Sequence, residues 1–260
     1  VRRSSEAGTD EGRDLAQLFD SIDRVQARRN ATAKSGAPSS GLALDMPFST
    51  RSEEVTAGRD RKYNSYAHSF AGMSVQFVLF MGIDLGVGLL LTRRMGLWKR
   101  LRAAPLSRTT LVGASLLGGT LIATLLMVGI YAAAITFFGV RVEGSWSGFA
   151  AMIVSFALLT SSFGLLIAAI GRTPEATRGL AVLATLLMVM LGGAWVPSFV
   201  FPEWLQTVSL AVPTRWAIDG LAAMTWRGLG VEAALVPIAA TLAFAALFAL
   251  VAMWRFDWDE

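Results

Sequence analysis

Arg93-Arg94-Met95-Gly96-Leu97-Trp98-Lys99-Arg100-Leu101-Arg102-Ala103-Ala104-Pro105-Leu106-Ser107-Arg108 carries six basic side chains and no acid in sixteen residues. Tyr66 to Thr92 precedes it with one charge, Asp84, and Thr109 to Val140 follows with none. A basic, partly apolar segment between two membrane-length apolar runs reads as a cytoplasmic loop lying on the membrane face. The stretch therefore points to an all-α, polytopic membrane helix bundle and sets its orientation.

Composition agrees. The chain is 54% hydrophobic and 16% charged, with a mean hydropathy of +0.53; soluble domains are nearer a quarter charged. Residues 1–62 hold 11 of the 23 basic and 10 of the 19 acidic residues. The pI near 9.9 reflects basic membrane-adjacent loops and implies no nucleic-acid partner. With no cysteine, disulfides and Cys-ligated metal sites are excluded.

Five spans are predicted: Ser65–Leu91, Thr109–Phe138, Trp146–Ile170, Gly179–Trp195 and Ala233–Trp254. Each approaches or exceeds the ~20 apolar residues needed to cross ~30 Å of hydrocarbon. Lys and Arg number nine in 93–108, 171–178 and the C-terminal tail, against Arg141, Arg215 and Arg227 on the other side. The positive-inside rule puts the first set in the cytoplasm. Trp98, Trp254 and Trp258 then fall at the inner boundary, and Trp146, Trp195, Trp204, Trp216 and Trp226 at the outer one, as an aromatic belt.

Residues 1–62 read as a partial extracytoplasmic segment and 63–260 as the transmembrane domain. Leu15, Leu18, Phe19, Ile22 and Val25 predict an amphipathic helix over Asp10 to Arg29, followed by a linker from Asn30 to Gly41. With five spans, the charged segment 1–62 must lie outside, which predicts a further membrane helix ahead of it.

Gly192-Gly193-Ala194-Trp195-Val196-Pro197-Ser198-Phe199-Val200-Phe201-Pro202-Glu203-Trp204-Leu205-Gln206 is too apolar for a simple loop and too broken by proline for a span. Pro202 suits the first turn of a helix and Glu203 its positive end. Thr214 is placed to cap another helix after Pro213. We read 197–226 as short re-entrant or interfacial helices on the outer face, with Trp195, Pro197, Pro202, Glu203, Trp204, Pro213, Arg215 and Asp219 as gate residues. Backbone of this kind survives at membrane depth only against protein or a water-filled cavity.

Asp84 is an ionisable residue inside a span. Such residues mark pathways or bond to Ser, Thr or Arg on a neighbouring helix; both readings stand. Gly82 and Gly86 form a small-xxx-small pair that permits close helix approach, consistent with a dimer seam. His68, the only histidine, reads as an interface residue with no metal site around it.

These residues resemble the membrane subunit of type-2 ABC exporters, in the drug- and antibiotic-export branch. Gly96 to Arg108 is similar to the family's basic coupling segment. Arg172-Thr173-Pro174-Glu175-Ala176-Thr177-Arg178-Gly179-Leu180 is similar to its short inner loop. Gly192 to Gln206, with Pro213-Thr214-Arg215-Trp216-Ala217-Ile218-Asp219-Gly220, resembles its outer re-entrant element. The likeness covers about residues 64–254, and the family has six spans. Family members often carry acids just before the coupling segment, whereas Thr92-Arg93-Arg94-Met95 has none.

The resemblance implies an ATP-driven exporter subunit of the cell membrane, moving an amphipathic drug-like or lipid-like substrate. It implies a separate cytoplasmic ABC ATPase, a second permease copy and contact with membrane lipids. Arg94, Leu97, Trp98, Lys99, Arg100, Leu101, Arg102 and Arg108 become ATPase-coupling residues, with Leu97, Trp98 and Leu101 forming an apolar docking face. No Gly-x-x-x-x-Gly-Lys-Ser/Thr phosphate loop occurs. This chain then binds no cofactor, and the partner binds ATP and Mg. Two alternatives remain: a truncated or inactive permease serving as a structural membrane partner, and a multipass transferase using Glu203, Arg215, Asp219 and Arg227.

Overall fold

The structure is a computed structural model that describes residues 63–96 and 108–255, without the side chains of Arg108 and Thr109. The predicted helix Asp10–Arg29, the linker, Trp258, and the coupling residues Leu97, Trp98, Lys99, Arg100, Leu101 and Arg102 lie outside the described residues, as does the Arg108 side chain. Among the described residues the regular structure is helical throughout.

Five helices are long and apolar enough to cross a membrane. They are α1 (Ser65–Arg94), α2 (Arg108–Phe138), α3 (Trp146–Ile170), α4 (Pro174–Leu191) and α7 (Glu232–Arg255). Between α4 and α7 lie a 3₁₀ turn (Ser198–Val200) and two short helices, α5 (Glu203–Ser209) and α6 (Pro213–Met224). Arg93, Arg94, Arg172 and Arg255 mark one end of the bundle, here the basic end. The broken segment 192–231 closes the other.

Local chemistry sets the helix ends. The Asn64 side chain caps α1 by accepting from the Ala67 N–H at 3.1 Å, and Ser145 caps α3 by accepting from Gly148 at 3.3 Å. Arg93 and Arg94 fall in the last turn of α1, where cations favour the helix dipole. Along α2, the hydroxyls of Ser115, Thr120, Thr124 and Thr136 donate to carbonyls one turn back, which satisfies them without water.

The fourth span corrects the sequence reading. It runs Pro174–Leu191, five residues earlier than expected at its start and four at its end. Pro174 occupies the first turn, where its missing N–H costs nothing. Glu175 sits at the positive end of the helix. The supposed 171–178 loop therefore shrinks to Gly171–Thr173.

α3 is the core. Within its most apolar window 78% of residues are buried, against 17% for α4. It packs on α1, α2 and α7. The Gly82/Gly86 pair is used inside this chain. A Cβ on Gly86 would lie 2.4 Å from the Gly164 carbonyl oxygen, and one on Gly82 would lie 2.8 Å from Thr160 Cγ2. Small residues on both helices thus bring α1 and α3 backbone to backbone. On the next face Ser161 donates to the Leu116 carbonyl of α2 at 2.8 Å.

Candidate functional site

At the basic end, Arg94 donates to the Arg172 carbonyl and so joins the end of α1 to the loop before α4. Further in, Arg178 on the second turn of α4 forms an ion pair with Asp84. This is the neighbouring-helix arginine that one reading of Asp84 anticipated. Both side chains remain more than half exposed within this chain, at 56% for Arg178 and 64% for Asp84. They line a cleft of about 230 Å³ with Phe80, Ile83 and Val182. Tyr66, Met73, Phe77 and Leu91 continue the same helix as exposed large side chains.

At the far end, α4 stops at Gly192, and the chain reverses through Gly193 at a φ of 84°. Glycine adopts that conformation at no steric cost. The reversed backbone lies against α1, since a Cβ on Gly72 would fall 2.2 Å from the Ala194 carbonyl oxygen. One turn along α1, Gln76 accepts a hydrogen bond from Trp195 Nε1 at 2.8 Å. Thr214 does not cap α6, because Val212 holds that position with Pro213 in the first turn. Its hydroxyl instead donates to the Met188 carbonyl at the end of α4. The reversal is thereby tied to α1, α4 and α6 together.

The remaining gate residues punctuate the short helices. Pro197 precedes the 3₁₀ turn, and Pro202 occupies the cap position of α5, one residue before the turn expected for it. Glu203 opens α5, and Trp204 is 67% exposed. On α6 the Arg215 Nε lies 2.6 Å from the Asp219 carboxylate one turn on, both largely buried. Burial pushes the Asp219 carboxyl above the usual carboxylate range, against the opposing pull of Arg215 and Arg227. Arg227 stacks over the Trp226 ring at 5.2 Å. Tyr63 contacts the rings of Trp226, His68 and Phe199 at 5.4, 5.8 and 5.9 Å.

Trp226 is 5% exposed and His68 is 6% exposed, so at this end of the bundle both are packed against protein. Trp146, Trp195, Trp204 and Trp254 are exposed as the belt requires. Of the transferase quartet, Arg215, Asp219 and Arg227 come together, while no ion pair joins Glu203 to them among the described residues. Those described residues also contain no group of three or more His, Asp or Glu placed to hold a metal.

Sequence reasoning missed Gly72, Gln76 and Arg178. Gln76 was a visible polar residue in an apolar run, one turn from Gly72. Arg178 was hidden by its assignment to a loop.

Five apolar helices, one of them central, with one end closed by broken helices, define a polytopic helical membrane protein. The chain belongs to the ABC-2 type transporter family, whose family model matches residues 41–226. The linearmycin resistance permease protein LnrN of Bacillus subtilis (strain 168) is 29% identical over 206 residues, covering 78% of this chain and 52% of LnrN. The inner membrane transport permease YhhJ of Escherichia coli (strain K12) is 28% identical over 118 residues, covering 45% of this chain and 32% of YhhJ. The chain thus spans about half the length of LnrN and about a third of YhhJ. No solved structure matches it at a significant level.

Proposed function

We propose that this chain is the membrane-spanning part of an ATP-driven exporter, powered by a separate ATPase that binds ATP and Mg. The basic end faces the cytoplasm, segment 93–108 is the docking site, and the broken segment 192–231 is the outer gate. The observation that carries the reading is the continuity of α1. It runs unbroken for 30 residues from the basic segment to the reversal at Gly193. At ~1.5 Å per residue that is about 45 Å, the full depth of a bilayer. Arg94 holds its basic end, and Gln76, more than half the helix away, touches Trp195. A push on the docking segment would reach the gate through one rigid helix.

The Asp84–Arg178 pair supports a path on the open face of α1 and α4. Ionised groups that stay exposed at membrane depth are costly against lipid and belong beside water or protein. A second copy of the permease would enclose that face. An amphipathic substrate suits walls built of Met73, Phe77 and Phe80 with one charge pair among them. The resistance role in the name of LnrN favours an antibiotic-like cargo.

The test is co-purification of the full-length permease with its ATPase, and stimulated ATP turnover. Replacing Trp98 and Leu101 with Ala should lose both, whereas replacing Lys99, Arg100 and Arg102 with Gln should retain more of the partner, because exposed charge pairs contribute little. Full retention and full stimulation in the Trp98/Leu101 double variant would refute the docking role.

A further inference from the structure

α3 and α4 diverge from the three-residue connection Gly171-Arg172-Thr173, and the wedge between them is a groove of about 470 Å³. Its walls are apolar: Phe163, Ile167 and Ile170 from α3, with Ala176, Leu180 and Ala184 from α4. It opens at the basic end, where Arg172 forms the lip. Arg172 is exposed, and its backbone carbonyl accepts from Arg94, which brings the Arg94 guanidinium to the same connection.

We propose that this groove holds one anionic phospholipid, its acyl chain between α3 and α4 and its phosphate at Arg172. The proposal rests on the exporter reading only for which leaflet supplies the lipid. Charge complementarity selects an anionic headgroup over a zwitterionic one. Among the described residues, Glu175 is the acid beside this connection, and it falls on the helix face of Arg178 and Val182, which line a separate cleft with Asp84. A second copy on the Asp84 face also leaves the groove free. Ala176, Leu180 and Ala184 lie about half a turn from Arg178 and Val182 at ~3.6 residues per turn.

The experiment reads lipid retention by native mass spectrometry. The full-length permease, without ATPase or nucleotide, is exchanged into equal amounts of phosphatidylglycerol and phosphatidylcholine with matched chains. Phosphatidylglycerol should be retained roughly fivefold over phosphatidylcholine, a preference worth one basic contact. Arg172→Gln should bring the ratio near one. Leu180→Trp, at a position 69% exposed, should fill the groove and lower retention of both lipids without disturbing the fold. Equal retention of the two lipids, or a preference that survives Arg172→Gln, would overturn the proposal. So would displacement by glycerol phosphate alone, which marks a site for a free anion. Displacement by the transported substrate, or a disulfide between two copies carrying Leu180→Cys, would assign the groove to another occupant. Because no ATPase is present, failure of the docking test leaves this result standing, and the reverse also holds.

Discussion

Gly86 of α1 and Gly164 of α3 meet backbone to backbone: a Cβ on Gly86 would lie 2.4 Å from the Gly164 carbonyl oxygen, and one on Gly164 would lie 2.6 Å from the Gly82 carbonyl oxygen. The obstruction is backbone on both sides and cannot rotate away. Gly86→Leu or Gly164→Leu should therefore cost at least the roughly 1–3 kcal/mol of an overpacked core. Gly88, with nothing within 4 Å, should accept Ala without loss. The yield of monodisperse protein after detergent extraction separates them. Equal yields for Gly86→Leu and Gly88→Ala would show that α1 and α3 do not cross there.

Asp84 and Arg178 should respond unequally to substitution. Asp84 lies ten residues from Arg94 on α1, about 15 Å from the helix end at ~1.5 Å per residue. Its short side chain cannot reach the interface, whereas Arg178, on the second turn of α4, can extend to it. Arg178→Gln should thus be more harmful than Asp84→Asn, on the scale of about 2.5–3.5 kcal/mol for an unpaired carboxylate at a helix centre. Adding Asp84→Asn to Arg178→Gln should restore yield. A double variant worse than Arg178→Gln alone would refute this account.

The Arg215–Asp219 pair predicts a pH dependence. Removing Arg215 takes away the largest charge opposing the effect of burial, so the Asp219 pKa rises further. A carboxyl whose folded pKa lies above its unfolded value contributes stability below the unfolded pKa and loses it as pH rises through the folded one. Arg215→Met should be closest to the unmodified protein in acid and fall behind it toward neutral pH, by less than the roughly 3 kcal/mol of a fully orphaned buried charge because Arg227 still opposes the effect of burial. Asp219→Asn in the same chain should flatten the dependence. Thermal unfolding of the purified protein across this pH range checks both, and a difference independent of pH would count against it.

The Gln76–Trp195 contact supplies a test of gating. These 260 residues hold no cysteine, so Gln76→Cys with Trp195→Cys can be joined by a short reducible bifunctional thiol reagent in a background with no other cysteine. If α1 moves against the reversal during transport, cross-linking should stop substrate efflux and a reductant should restore it. Undiminished efflux from fully cross-linked protein would mean that this seam stays closed.

Much of the bundle was legible in the chain because membrane insertion depends on local composition. Runs such as Thr109–Phe138 carry no charge over their whole length, and no tertiary contact is needed to recognise them. The start of the fourth helix was less legible. Glu175 and Arg178 look like loop residues by composition, yet Glu175 meets the helix dipole and Arg178 meets Asp84. That Trp226 and His68 are buried was hidden for a related reason. Amphipathic side chains suit an interface and a packed polar cluster equally, and only their neighbours decide.

By itself, the sequence determined the class of protein, the number of apolar helices in this chain and the family, through hydropathy, basic clusters and ordered motifs. Tertiary structure alone decided that Gly82 and Gly86 serve α3, that Arg178 answers Asp84 and that Trp195 rests on Gln76. It also decided that a groove opens beside Arg172. Hydropathy depends on each residue's own transfer into lipid, whereas these contacts depend on how helices far apart in sequence are rotated against one another.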